Sequence, residues 1–240
     1  GGVSSLTSAG GGGARGNEAR ITFSMLKHNL VLQGGAPVFT CLKGSIAFLR
    51  SENGIFYPAC PTMNGDRQCN KKMRDEGGGW YCEKCAQPQA RCDWRYLFSV
   101  NAVDHTSATW LTMFQEAGEQ IFGMTGNAMK ELMDSDPNAY DKALQDANFK
   151  SFQFKVRVAE DTYNDEVRVK STVTRADPID FAAESKLLIT NISKLMSDEP
   201  VYVLPQASGG QSGGYGGGAP AFGGATSYGA GGGGGGGGDG

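Results

Sequence analysis

A chain of 240 residues with 37 glycines concentrated at its two ends has room for one domain of ordinary size with an insertion, the folded part being shorter than the chain. Its net charge of −3 argues against a generic polyanion binder, so any nucleic-acid contact must come from where the charges sit rather than from their sum. No run of about 18 apolar residues is present, which excludes an ordinary membrane-spanning helix.

Residues 1–16 have no periodicity and almost no apolar bulk, so they cannot offset the entropy of being ordered, and a flexible linker is expected over 1–19. Opening on glycine without an initiator methionine, the chain reads as a C-terminal piece of a longer protein. Val38 to Arg50 is β-rich, with Ile46 and Phe48 alternating with Ser45 and Ala47, and is expected to form the first strand. A short run from Ile55 to Tyr57 then leads straight into a cysteine-bearing insertion, expected over about residues 58–92.

That insertion carries four thiols in two groups, Cys60 with Cys69 and Cys82 with Cys85, separated by a polar loop that turns at Gly77, Gly78 and Gly79. Two such bends can close a tetrahedral zinc site, because each offers soft ligands from one short segment. Cys82-Glu83-Lys84-Cys85 has the usual knuckle spacing, whereas eight residues separate Cys60 from Cys69. A disulfide pair is the plain alternative, but nothing in the sequence looks like a secretory signal. Cys92 could replace one ligand, and Cys41, in an apolar run, reads as a small core residue. One structural Zn2+ on Cys60, Cys69, Cys82 and Cys85 is expected, and four cysteines leave no open position for activating water.

After the insertion, Trp94, Tyr96, Phe98, Val100 and Ala102 recur at period two and are expected to form a second strand, followed after a turn by a third from Trp110 to Phe114. On that strand Trp110 and Phe114 share one face and Leu111 and Met113 the other; one pair is core, and large aromatics are more often buried than offered to a ligand. The period then changes: Glu116 to Phe122, Asn127 to Met133 and Pro137 to Ala147 read as helices, the last capped by Asp136 with Pro137 in its first turn. Strict alternation returns from Ser151 to Val158 and through Val167, Val169 and Val173, predicting a hairpin around the loop AEDTYNDE. Five strands with helices between the third and fourth give the order of an OB-fold barrel: mainly β with α, a zinc ribbon inserted and a helix at the C-terminal end.

The polar positions of that hairpin carry Lys155, Arg157, Arg168 and Lys170, and strand geometry puts each pair on one face. Such a face attracts phosphate, although a solvated outer face would also be charged. The acids Glu160, Asp161, Asp165 and Glu166 collect at the loop, which also holds Tyr163, an aromatic without apolar neighbours and so a candidate for base stacking. Further on, Asp177 and Pro178 read as cap and first turn of a helix over 178–196, with Phe181, Ser185, Leu188, Ile192 and Leu195 at four-three spacing. That stripe suits either a bundle with partner helices or the chain's own barrel. From residue 197 a disordered tail is expected, glycine-rich from 205 with scattered Tyr215, Phe222 and Tyr228.

The runs CNKK, CEKC, LFSVN, WLTMFQE, ANFKSFQFKVRV and DTYNDEVRVK together resemble the C-terminal DNA-binding domain of replication protein A large subunits, the eukaryotic heterotrimer that binds single-stranded DNA, over about residues 20–196. The eight-residue gap after Cys60 is like that of plant-like members. The resemblance implies an OB-fold with a zinc ribbon ligated by Cys60, Cys69, Cys82 and Cys85, and single-stranded DNA as ligand. It also implies stacking by Trp110, Phe114 and Tyr163 and a trimer core built from C-terminal helices; the hairpin cations with Lys71 and Lys72 are then expected at the DNA, and Phe181, Leu188, Ile192 and Leu195 at the subunit interface. Middle and small subunits as partners, a nuclear location, and roles in replication, repair and recombination follow from it as expectations. A zinc hydrolase or deaminase would need an open metal position beside an acid; the two histidines, His28 and His105, are in no such setting, and no enzyme is expected. The rival reading is a protein-binding zinc ribbon of the transcription machinery that does not touch DNA.

Overall fold

The computed structural model describes residues 19–30, 32, 35–163 and 166–205, with the Tyr163 side chain left out. The first long element, β1 (Val38–Arg50), points Val38, Leu42 and Ile46 inward, but Phe48, expected on the Ile46 face, is outward, because the register shifts between Ile46 and Phe48. It is preceded by a short helix, α1 (Phe23–His28), whose cap Thr22 accepts a hydrogen bond from the Met25 N–H. At Gly44 the strand changes neighbours: it pairs with one strand up to Ser45 and with another from Ser45 onward. A side chain there would lie 2.6 Å from both the Phe23 ring and the Val103 carbonyl, so only glycine lets the strand pass.

Between β1 and the next barrel strand comes an insertion of small sheets. Its stem is β2 (Phe56–Ala59) paired with β8 (Asp93–Tyr96). Inside it lie the hairpin β3 (Met63–Asn64) and β4 (Arg67–Gln68), then a three-stranded sheet of β5 (Arg74–Asp75), β6 (Trp80–Cys82) and β7 (Gln87–Gln89). The barrel resumes with β9 (Phe98–Val103) and β10 (Ala108–Met113). The run from Trp94 to Ala102 is therefore two strands, not one. Its side-chain period continues through Leu97, but Trp94 and Tyr96 pair with β2 whereas Phe98, Val100 and Ala102 pair with β10.

Three helices follow where the sequence puts them: α2 (Gln115–Phe122), α3 (Gly126–Ser135) and α4 (Pro137–Ala147), the last capped by Asp136. They close one end of the barrel over Tyr96, which is fully buried, stacks on Phe122 at 5.4 Å and donates its hydroxyl to the Met124 carbonyl at 3.1 Å. Burial pushes the Tyr96 phenol far above its ordinary range, so it serves as a neutral donor.

The last two strands, β11 (Ser151–Tyr163) and β12 (Glu166–Pro178), are longer than their apolar alternation suggests. Residues 159–162, expected in a loop, pair across the hairpin as far as Tyr163 with Glu166. The order β1-β11-β12-β10-β9 closes on itself, with β10 and β12 parallel; this is the five-stranded OB-fold barrel. Its core runs from Leu42, Ile46 and Val100 through Leu111, Met113, Phe154 and Val156.

The final helix, α5 (Phe181–Met196), starts three residues later than Asp177 and Pro178 suggest. Those two residues are still strand, paired with Gln153 and Phe152, and the cap is Asp180, which accepts from the Ala182 and Ala183 N–H groups. Among the described residues no helix is long and apolar enough to cross a membrane.

Candidate nucleic-acid interface and metal centre

The insertion brings Cys60, Cys69, Cys82 and Cys85 together, with all four sulfurs within 4.8 Å of one another. The Cys60–Cys85 and Cys69–Cys82 Sγ pairs are each 3.9 Å apart. That is twice a disulfide bond and close to the ~3.8 Å edge of a tetrahedron with ~2.3 Å metal–sulfur bonds. The long gap after Cys60 is taken up by the β3–β4 hairpin, which brings Cys69 back so that its N–H donates to the Thr62 carbonyl at 2.8 Å. Asn70, at φ 54°, turns the chain away after it. Cys92 packs against the cluster without joining the four, and Cys41 is buried in the barrel region. Burial pushes the Cys69 and Cys82 thiols upward, while at Cys60 burial is outweighed by hydrogen bonding at Thr62 and the thiol is lowered. Four crowded, partly desolvated sulfurs form a donor set that fits one soft, tetrahedral metal ion.

The barrel exterior forms a second candidate site. On β10 the inward pair is Leu111 and Met113, both fully buried, whereas Trp110 is 41 % exposed; the aromatic pair is therefore not the core pair. Phe114 is half-buried and serves as the N-cap residue of α2. Register carries this face around the barrel, since Ser99 pairs with Thr112, Thr112 with Thr172, and Thr172 with Arg157. On the hairpin, Arg168 lies opposite Asp161, Lys170 opposite Ala159 and Lys155 opposite Arg175. Partners across an antiparallel pair share a face, so all four predicted cations lie on one side of the hairpin, with Arg175 as a fifth.

Lys170 Nζ is 6.0 Å from the Phe114 ring centroid and 3.7 Å from a carboxylate oxygen of Asp161. Asp161 thus sits among the cations and tempers them, while Glu160 turns to the opposite face of the same strand. Tyr163 ends β11 in register with Glu166; its side chain and Asp165 lie outside the described residues. Lys71 and Lys72 belong to the insertion, where the Lys71 carbonyl accepts from the Cys60 N–H at 2.9 Å and Lys72 forms a bridge with Ala59. The structure adds residues that sequence reasoning passed over. Phe39, 41 % exposed, lies opposite Arg157; Phe48 lies edge-on to Trp110; and the Arg50 guanidinium is 4.3 Å from the Trp110 ring centroid.

Helix α5 is anchored near its start. Glu184 Oε2 accepts from Arg20 at 2.7 Å and its Oε1 from Lys43 at 2.6 Å. The Arg20 guanidinium, followed by the Lys43 ammonium, holds the Glu184 carboxyl down at about 2 despite its burial. Phe181, Leu188, Ile192 and Leu195 are all exposed, so the predicted stripe does not pack on its own barrel.

The family model of the replication factor-A C-terminal domain matches residues 39–188. The chain is similar to a replication protein A 70 kDa DNA-binding subunit of Oryza sativa subsp. japonica, 35 % identical over 183 residues that cover 76 % of this chain and 28 % of that protein. It is 38 % identical to the Mus musculus 70 kDa DNA-binding subunit over 196 residues, 81 % of this chain and 31 % of that one. The chain thus spans under a third of the length of these curated relatives. Among solved structures it resembles a chain of yeast RPA bound to ssDNA, with TM-score 0.62 and 34 % identity over 74 % of this chain and 98 % of that one. It also resembles a chain of a replication protein A heterotrimer bound to ssDNA, with TM-score 0.64 and 31 % identity over 73 % and 40 % of the two chains.

Proposed function

The chain belongs to the replication factor-A C-terminal domain family, and from that premise we propose that it is the single-stranded-DNA-binding C-terminal domain of the large subunit of a heterotrimer. The observation that carries the reading is the shared exterior face on which Trp110 and Phe114 lie beside Arg157, Arg168 and Lys170. Single strands are held by bases stacking on aromatics next to a cationic track, and this face offers both. Lys155 extends the track along the hairpin, Lys71 and Lys72 add cations from the insertion, and Tyr163, its side chain outside the described residues, is assigned a further stacking role. The function is binding, not catalysis. It protects exposed single strands in the nucleus during replication, repair and recombination.

One Zn2+ is held by Cys60, Cys69, Cys82 and Cys85 and supplies the crosslink that orders the insertion. The chain's own part is to present four thiolates on two turns, with the β3–β4 hairpin spanning the long gap. Helix α5 docks on helices of the middle and small subunits through Phe181, Leu188, Ile192 and Leu195, where the barrel leaves them exposed. The proposed domain is the zinc-bearing barrel with its helix over 20–196; the expected linker over 1–19 lies outside the described residues up to 18, and the expected tail from 197 lies outside them beyond 205. Leu188→Asp with Ile192→Asp tests the helix; the barrel should stay folded and no longer co-purify with partner subunits, and retention of partners would remove α5 from the interface. A salt-dependent binding titration with oligothymidine tests the DNA reading, because contacts to phosphate weaken with salt and stacking does not. Binding that is absent at low salt would overturn it.

A further inference from the structure

Beside Trp110, β1 presents an aromatic and a cation that the reading above does not use. Phe48 is 48 % exposed although it lies within a barrel strand, and Leu49 beside it fills the core. An irregularity of register between Ile46 and Phe48 reverses the alternation there and turns Phe48 outward. Asn101 is the register partner of both Phe48 and Trp110, so the three form one row across β1, β9 and β10. The Phe48 and Trp110 rings meet at 87° with centroids 6.3 Å apart. Arg50, two residues on, is the partner of Ser99 in the adjacent row, and its guanidinium lies over the Trp110 ring.

We propose that Phe48 and Arg50 complete a nucleotide subsite around Trp110, in which Phe48 supplies a second stacking surface and Arg50 binds phosphate. The proposal rests on the single-stranded-DNA reading and extends its face onto β1. Two perpendicular rings make a corner: a base lying flat on one ring meets the edge of the other, which is the favourable geometry for aromatic neighbours. In the free protein the Arg50 guanidinium covers one side of Trp110, an arrangement stabilised by the attraction of a cation to a ring face. A base that stacks on that side displaces the guanidinium, and the exposed Arg50 side chain then reaches the phosphate attached to the same nucleotide. Asn101 between the rings offers both a donor and an acceptor to a base edge. Duplex DNA does not fit, because its base faces are closed. The row also joins the track already described, since Ser99 and Thr112 link it to Thr172 and Arg157.

The test is a titration of the full chain with oligothymidine at several salt concentrations, with melting measured beside it. Phe48→Ala should bind roughly five- to 150-fold more weakly, the effect of losing one stacked base, with the salt slope unchanged. Phe48→Tyr should restore binding, and Phe48→Leu, which keeps apolar bulk without the ring, should not. Arg50→Ala should lower the slope of log affinity against log salt by about 0.7, the value for one phosphate on a single strand. If Phe48→Ala melts early, Phe48→Leu decides in its place. Wild-type affinity in stable Phe48→Leu and Arg50→Ala, while Trp110→Ala and Arg157→Ala weaken binding, overturns the subsite and leaves the proposed function standing. Wild-type affinity in all four overturns both.

Discussion

The barrel and the insertion it carries are ordered by different physics. The barrel buries a continuous apolar core from Ile21 to Ala176, including Leu42, Val100, Leu111 and Phe154. The insertion buries Cys60, Met73 and Cys82, with partial cover from Cys69, Trp80, Cys85 and Cys92. Its strands are two to four residues long, too short to be stable alone in water. Where apolar area is so small, a crosslink must replace hydrophobic burial. With the proposed zinc, the same molecule has one region whose stability is spread over many contacts and another whose order depends on four sulfurs.

Removing a ligand gives the largest expected effect and tests that contrast most severely. Structural zinc commonly contributes roughly 10 kcal/mol or more to the folding of its own segment. Cys82→Ser, or a strong chelator, should unfold residues of the insertion while the barrel stays cooperative, as read by metal analysis and amide exchange. Full metal retention in Cys82→Ser, or collapse of both regions together, would break the division. The converse change is Leu111→Ala in the barrel, where a cavity should cost about 2–5 kcal/mol of stability. Its melting temperature should fall while its zinc content holds.

Helix α5 offers a smaller and pH-dependent test, because the barrel grips it through charge. The Glu184 carboxyl lies at about 2 when folded and near ~4.3 in an unfolded chain. A depressed carboxyl contributes stability that is complete above the unfolded value and is lost as pH falls through the folded one, here worth roughly 2–3 kcal/mol. Acid titration of stability should therefore show a loss between about pH 5 and pH 2 that Glu184→Gln lacks. An identical acid profile in that variant would mean that the Arg20–Glu184–Lys43 contact is not what holds the helix start.

The strands, the three middle helices and the cysteine cluster were legible because each rests on a local rule: period two, period 3.6 with caps, and paired thiols. The misreadings come from choices that periodicity does not make. Alternation groups Trp110 with Phe114 and Leu111 with Met113 but is symmetric about which pair faces in; the closed barrel decides for Leu111 and Met113. It runs unbroken through Leu97 although the pairing partner changes there. Residues 159–162 are held as strand mainly by cross-strand backbone bonds, which leave little trace in an amphipathic pattern. Asp177-Pro178 has the chemistry of a helix start, but both residues are used by the β11–β12 pairing, and Asp180 takes the role. Alternation puts Phe48 on the Ile46 face, and nothing in the pattern around it or Arg50 marks the register shift after Ile46 that turns both outward.

The central claim is that the exterior face of β10 and the hairpin binds single-stranded DNA by two separable means. Its most direct test is the affinity of the full chain for oligothymidine across a salt series, compared among wild type, Trp110→Ala and Arg157→Ala, each with its melting temperature. Arg157→Ala should flatten the salt slope by about 0.7, and Trp110→Ala should weaken binding by about 1–3 kcal/mol with the slope unchanged. A stable Trp110→Ala, Arg157→Ala double variant that binds as tightly as wild type at every salt concentration would contradict the account.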